Sequence, residues 1–311
     1  MAWLVLSRLG RMALTFFIIL TLVFFATRMT GNPIDFIAGE GLSKADRALL
    51  VAYYKLDQSV AHQFLAYLRD ILDGDFGLSF RERRPVTEVV AARIWPTVKL
   101  LASSLAVTLA VAIPFGVIAA VWRNRWPAGL VMMIAFFGYA IPNFVLAIIL
   151  ILIFSYWLNW LPVVGDATAL HFIMPTLVMS GLMIGSLARF TRNAMLDVLS
   201  QDFMRTARAK GLSEPVVILR HGLGNASITL LSVIGLQVAA TAASGSVVVE
   251  TIFAWPGIGE LLVRAALTQD YPVLQFGVLS VALAVIVINA LVDIAYGWAD
   301  PRLRRNPLQK A

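Results

Sequence analysis

The 311-residue chain contains no cysteine. Disulfides, thiol nucleophiles and cysteine-ligated metals are therefore excluded. Histidine is almost as scarce: His62, His171 and His221 fall in three different segments and no H-E-x-x-H occurs, so no metal cluster is expected. No lysine follows a glycine, which removes the G-K-[ST] core of a phosphate-cradling P-loop, and no G-x-S-x-G marks a hydrolase nucleophile. No catalytic residue, metal or cofactor is assigned. Charge is the fourth shortage. Only 14% of the residues are Asp, Glu, Lys or Arg and 59% are hydrophobic, against about 25% charged residues in a soluble domain. So little charge cannot cover a core of this size in water, and the bilayer is the better solvent. The formal net charge is +7, and where that basic excess sits decides whether it serves a nucleic acid or a membrane.

The charge-free intervals locate the spans at 12–27, 100–122, 126–165, 167–188, 221–249 and 271–292. A membrane helix needs about 20 residues; the first interval is short, but Arg11 and Arg28 can snorkel outward and extend it. It is read as a membrane helix and not a signal peptide, because its apolar run is too long for an h-region and "FATRMTGNP" offers no A-x-A-like cleavage site. The 126–165 interval is read as one long helix from 127 to 158, since "NWLPVVGD" (159–166) has turn chemistry. The expected architecture is therefore an all-α integral membrane protein with six transmembrane helices. Trp3, Trp95, Trp122, Trp126, Trp157, Trp160, Trp255 and Trp298 all fall at or just beyond span ends, as interfacial aromatic belts require.

Orientation follows from the short loops. Arg8 and Arg11, Arg123 and Arg125, the basic 189–220 segment, and Arg302, Arg304 and Arg305 share one side, while the 159–171 loop has no Lys or Arg. The positive-inside rule makes the first side cytoplasmic, with both termini inside. The basic residues of 31–95 do not count against this, because long loops cross regardless of charge. The expected organisation is a first membrane helix (1–30), a long extracytoplasmic loop with short helices (31–95), a five-helix core (96–304) with a cytoplasmic loop at 190–224, and a cytoplasmic tail (305–311). In the outer loop, Ser43 and Asp46 form an S-x-x-[DE] helix start. Phe64, Leu65, Leu68, Ile71 and Leu72 recur at helical spacing, so an amphipathic helix is expected to lie on the protein's own outer face or on the membrane. "DGDFGLS" (73–79) reads as a glycine turn.

Polar residues inside the spans are costly and so informative. Gln237, Thr241, Ser244, Ser246 and Glu250 stud the fifth span, and Asn289 and Asp293 the sixth. Glu250 and Asp293 lie near span ends, where an interfacial position is cheapest. Gln237, Thr241, Ser244 and Asn289 either line a translocation path or act as hydrogen-bond glue between helices. The small residues of "AATAASGS" (239–246) and the Gly181-x-x-x-Gly185 pattern point to close packing of the fourth and fifth spans, against a second copy or a homologous subunit.

The stretch "RTARAKGLSEPVVILRHGL" (205–223) is out of character with the rest. Gly211 breaks it, Ser213 is placed as an N-cap and Pro215 inside the next first turn, so two short helices at an angle are expected on the cytoplasmic side. Such a knob suits insertion into a partner; the bland alternative is a solvated basic loop that only enforces topology.

This segment resembles the cytoplasmic coupling loop of ABC importer permeases, whose pattern is E-A-A, three residues, then G. Ala207 and Gly211 keep their places, Arg205 and Thr206 replace the acid and the first alanine, and Leu223-Gly224 stands for the usual Leu-Pro. The loop is most similar to that of the dipeptide, oligopeptide and nickel branch. So are "GDFGLSFRERRPVTEVVAARIWPTVKL" (74–100), "VVVETIFAWPGIGELLVRAALTQDYPVLQ" (247–275) and "NALVDIAYGWADPRLR" (289–304). The resemblance implies a type I ABC importer permease of the bacterial inner membrane, not itself an enzyme. Its implied partners are a second homologous permease, two cytoplasmic ATP-binding subunits and an extracytoplasmic solute-binding protein. The implied cargo is a small solute, a di- or oligopeptide first, with nickel complexes or other small solutes as alternatives. By the same resemblance Arg205, Thr206, Ala207, Arg208, Lys210, Gly211, Leu212, Ser213, Glu214, Pro215, Arg220 and His221 form the ATPase-coupling loop. An ion-coupled secondary transporter is the competing class, and it would want paired ionisable groups at mid-membrane. An intramembrane enzyme would need a nucleophile–base or metal constellation.

Overall fold

The structure, a computed structural model, describes residues 2–29, 51 and 57–299. The predicted helix start at Ser43 and Asp46, the arginines at 302, 304 and 305 and the 305–311 tail lie outside the described residues. Within them the chain is helical, with no strand and a single isolated antiparallel bridge, Leu78 to Pro85. The helices are α1 (Ala2–Met29), α2 (Val60–Leu72), α3 (Val86–Val121), α4 (Trp126–Ala140), α5 (Asn143–Leu150), α6 (Leu170–Leu199), α7 (Asp202–Ala209), α8 (Glu214–Val216), α9 (Gly224–Ala240), α10 (Ser246–Ile252), α11 (Ile258–Leu267) and α12 (Tyr271–Ala299). Three π-helical stretches, Ile151–Trp157, Val217–Leu223 and Thr241–Gly245, continue α5, α8 and α9. Leu22, Phe136, Phe144, Leu236 and Leu291 point outward from these helices, as side chains in contact with hydrocarbon do.

The expected single helix over 127–158 is wrong. It breaks at Ile141 and Pro142, which are extended (ψ 123° and 140°), and the two arms meet at 104°. Proline drives its predecessor out of the α region and donates no backbone hydrogen bond. Five unbroken helices among the described residues are long and apolar enough to cross a membrane, or six when this bent pair counts as one span.

The chain divides into two compact units. One comprises Pro96–Pro256 and Ala284–Ala311. Its core gathers Ala112, Ala135, Leu187, Ala188, Met195 and Leu230. Glycines let the helix backbones close up: a Cβ on Gly185 would lie 2.3 Å from the Ala135 carbonyl oxygen, and one on Gly138 would lie 2.9 Å from that of Gly181. The Gly181-x-x-x-Gly185 pattern therefore seats α4 within this chain, and the expected second subunit is not what fills it. Arg189 of α6 lies over the Tyr139 ring of α4 at 4.4 Å, a cation–π contact beside the same seam.

A second cluster overturns two expectations. Trp255 was placed in the interfacial belt, yet it is wholly buried, edge-on to Phe172 at 4.5 Å, and its indole N–H donates to the Pro96 carbonyl at 3.1 Å. Glu250 was placed at an interface, yet it is also wholly buried and accepts a 2.8 Å hydrogen bond from the Thr97 hydroxyl. Leu100, Met174, Val178 and Phe253 surround this node. Both residues sit at a span end in sequence, but the chain folds back over that end. The other tryptophans whose side chains are described, at 95, 122, 126, 157 and 160, are exposed.

The other unit comprises Met1–Trp95 and Gly257–Leu283. The predicted amphipathic helix is α2, capped by the Ser59 hydroxyl, which accepts from the His62 N–H. It lies on the chain itself: Phe64 and Tyr67 pack on Phe24 of α1 at 5.2 and 5.3 Å, and burial pushes the Tyr67 phenol up to about 12. Gln275 donates to the Thr27 hydroxyl, tying α12 to α1. Val86, Val90, Leu261, Ala265 and Val273 form the remaining core.

Candidate functional site

The opening helix of the 205–223 segment is α7, eight residues long, and it ends where Gly211 takes a φ of +77°. The Lys210 N–H donates to the Thr206 carbonyl at 3.1 Å and the Gly211 N–H to the Arg208 carbonyl at 2.9 Å. Ser213 then occupies the N-cap position with extended backbone (φ −64°, ψ 144°), although its hydroxyl makes no cap bond, and Pro215 stands in the first turn. The second helix is not short, contrary to expectation. From Glu214 helical structure runs on through the π-helical stretch, α9 and α10 to Ile252 without a break. Between Pro215 and Ile252 no residue has the left-handed backbone that ended α7; Gly222 and Gly224 stay helical.

A small interior holds the knob together. Met204, Ala207 and Val217 are buried, with Val198 and Leu199 packed against them. A Cβ on Gly222 would meet the Met195 Cε at 3.1 Å, so glycine there lets the π-helical stretch settle on α6 and α7. Arg208 Nε donates to Glu214 Oε1 at 2.7 Å across the turn, and Arg205 faces Asp202 at 3.7 Å. Thr206 bonds the Asp202 carbonyl at 3.2 Å, and the carbonyl of half-buried His221 accepts from Asn225 at 2.7 Å. The outward face mixes Arg205, Lys210 and Arg220 with the apolar Phe203, Leu212, Val216 and Leu219, all exposed. An apolar patch rimmed by cations suits a protein groove better than water alone.

The pathway candidates are not drawn into one cluster: the Thr241 N–H donates to the Gln237 carbonyl within the helix, but no side-chain hydrogen bond joins any two of Gln237, Thr241, Ser244 and Asn289 among the described residues. Ser244 and Asn289 are exposed and Thr241 is half-buried. Gln237 differs from them. Both polar atoms of its side-chain amide are shielded and neither has a partner. The π-helical stretch Thr241–Gly245, built from the small residues noted in the sequence, begins one turn later. Sequence reasoning missed the node of Thr97 with Glu250 and a second buried carboxylate, Asp270, which accepts from Ser79 at 2.5 Å. Their partners lie 153 and 191 residues away, and no local pattern announces them.

Among the described residues the chain combines membrane-length helices with a compact helical knob, and no group of three or more His, Asp or Glu could hold a metal ion. Residues 112–305 match the family of binding-protein-dependent transport system inner membrane components. The chain belongs to that family: it is a multi-pass inner-membrane permease subunit of an ABC importer. The glutathione transport system permease proteins GsiC of Escherichia coli K12 and Shigella dysenteriae serotype 1 are each 44% identical over 301 residues, covering 96% of this chain and 98% of theirs. The fold is similar to inward-facing MetNI methionine ABC transporter structures. In one crystal form the TM-score is 0.59 at 16% identity, over 68% of this chain and 96% of that one; in another it is 0.56 at 16% identity, over 69% and 97%. Membership sets aside the ion-coupled and enzymatic readings. The purified chain alone is therefore expected to show no saturable ATP hydrolysis, measured by phosphate release against ATP concentration; saturable turnover would contradict the assignment.

Proposed function

We propose that this chain forms one half of the translocation pathway for short peptides of the glutathione class. A second homologous permease would form the other half, two cytoplasmic ATPase subunits would drive it, and an extracytoplasmic binding protein would deliver the solute. The observation that carries the substrate is the 44% identity to glutathione permeases along 96% of the chain. Residues 205–223 seat in a groove of one ATPase, with the exposed Leu212, Val216 and Leu219 as the apolar contact and both chain termini on the same cytoplasmic side. The test is uptake of radiolabelled glutathione by cells carrying the complete transporter, with unlabelled glutathione, dipeptides or nickel as competitors. Competition by nickel, or by dipeptides but not glutathione, would reassign the solute.

Within this reading Gln237, Thr241, Ser244 and Asn289 face the cavity in at least one state of the transport cycle. A buried amide with neither atom bonded is costly, by about 1–3 kcal/mol for each lost partner. A state that wets Gln237 relieves that cost. Single cysteines on this cysteine-free background are expected to react with a water-soluble thiol reagent in a nucleotide-dependent way. Positions that stay unreactive in every nucleotide state are interhelical glue.

A further inference from the structure

We propose that the exposed tip Arg81–Arg84, with the recess beside it, is a preorganised docking surface for an acidic face of the solute-binding protein. The inference rests on the reading above that such a protein delivers the solute to this permease. The tip belongs to the segment between α2 and α3. Its base is closed by the Leu78–Pro85 bridge and by Phe76 against Phe276 at 4.3 Å. Its position is set by Asp270, which is 4% exposed. The Ser79 hydroxyl donates to Asp270 at 2.5 Å, the Phe80 N–H at 3.1 Å and the Arg81 N–H at 3.3 Å. Ser79, 2% exposed, accepts in turn from the Glu82 N–H at 2.9 Å, and its carbonyl accepts from the Arg83 N–H at 3.0 Å.

Two non-glycine residues here hold left-handed backbones, Arg83 at the tip (φ +53°) and Gln269 just before Asp270 (φ +54°). Such conformations persist only where the surroundings over-determine them, and they gather at functional sites. A buried carboxylate holding three donors is more restraint than a solvated turn between helices needs. The rigidity also lowers the ordering cost of binding.

The chemistry of the surface selects the partner. Arg84 pairs with Glu82, and Arg264 with Glu260, which also faces Arg93 at 4.0 Å. Arg81 and Arg83 are exposed and have no ion-pair partner among the described residues. Beside them opens a recess of about 270 Å³ with Arg81, Glu82, Arg264 and Thr268 at its sides and the apolar Val89 and Leu261 beneath. Unpaired guanidiniums over a recess that is partly acidic and partly apolar match a protein surface carrying carboxylates around an apolar contact. A lone phosphate or lipid headgroup would leave the apolar Val89 and Leu261 of the recess uncovered. The topology proposed from the short loops places this tip outside the cytoplasm, where the binding protein works.

The test uses the assembled transporter in lipid nanodiscs and its own solute-loaded binding protein, reading ATP hydrolysis against binding-protein concentration. Basal hydrolysis without binding protein is the internal reference for assembly. Reversing both charges, Arg81→Glu with Arg83→Glu, is expected to raise the half-maximal concentration about tenfold or more, and raising NaCl is expected to weaken the wild type but hardly the variant. Ser79→Ala keeps the charges and loosens the clamp, and should give a smaller shift in the same direction. A half-maximal concentration within about twofold of wild type for the charge-reversed chain overturns the docking surface. So does a shift seen only in anionic lipid and lost in phosphatidylcholine. Wild-type hydrolysis that no binding protein stimulates would instead overturn the delivery reading beneath it.

Discussion

Gly211→Val is expected to leave the chain in the membrane at its normal level and to abolish transport. The glycine has a φ of +77°, and a Cβ built there would touch nothing within 4 Å. The substitution therefore acts through backbone angle alone. A β-branched residue in the left-handed region costs about 1–2 kcal/mol, and the turn escapes that cost by moving Leu212 and Ser213 out of place. The Arg208–Glu214 contact and the angle between α7 and the next helix change with them. No span and no topogenic charge is touched, so insertion persists. The measurement pairs the protein level in membranes with ATPase co-purification and uptake. Gly211→Asn is the control, because asparagine tolerates the left-handed region; it should retain most of the uptake that valine removes. Wild-type uptake with Val at this position would leave 205–223 as a topology loop.

The second large effect is on folding. Gly185→Val is expected to deplete the protein from the membrane. A Cβ at this position would lie 2.3 Å from the Ala135 carbonyl oxygen, 2.6 Å from the Tyr139 Cβ and 3.1 Å from the Tyr139 amide nitrogen. These are backbone atoms or directly attached to backbone, so no rotamer change can relieve the clash, and α4 must separate from α6. Overpacking typically costs about 1–3 kcal/mol even where side chains can yield; here they cannot. Separation would also pull Tyr139 from beneath Arg189. Gly129→Ala on the facing helix α4 is the control, since its Cβ would meet nothing within 4 Å. It should leave the level unchanged or raise it, because alanine is the better helix former by about 1 kcal/mol. Equal levels for the two variants would show that the α4–α6 seam does not limit folding.

The knob was legible in the sequence where its signals are local. Gly211, Ser213 and Pro215 act on their own backbones, and the structure has a left-handed residue, an N-cap and a first-turn proline at those positions. The length of the second helix was not legible, because no local pattern tells that the helix begun after Ser213 continues past Gly222 and Gly224 to Ile252. The Cβ-free surface of Gly222 is what Met195 packs against. The single helix over 127–158 was read from the turn chemistry of 159–166 without regard to Pro142, and the structure shows that proline breaking the helix with a 104° bend.

The sequence by itself determined the solvent, the all-helical class, the place of five spans and the turn at Gly211. Each follows from composition, charge spacing or the allowed angles of one residue, quantities that act over a turn or two of chain. Only the tertiary structure decided that Glu250 and Trp255 belong to a core, that Gly181 and Gly185 close on α4 and not on another subunit, and that Asp270 holds the 79–81 turn. Burial is a property of what folds over a residue, and for these residues the covering segments come from remote parts of the chain. Thr97 meets Glu250 across 153 residues and Ser79 meets Asp270 across 191. A span-end position tells where a side chain stands along the membrane normal, but not what the returning chain lays against it.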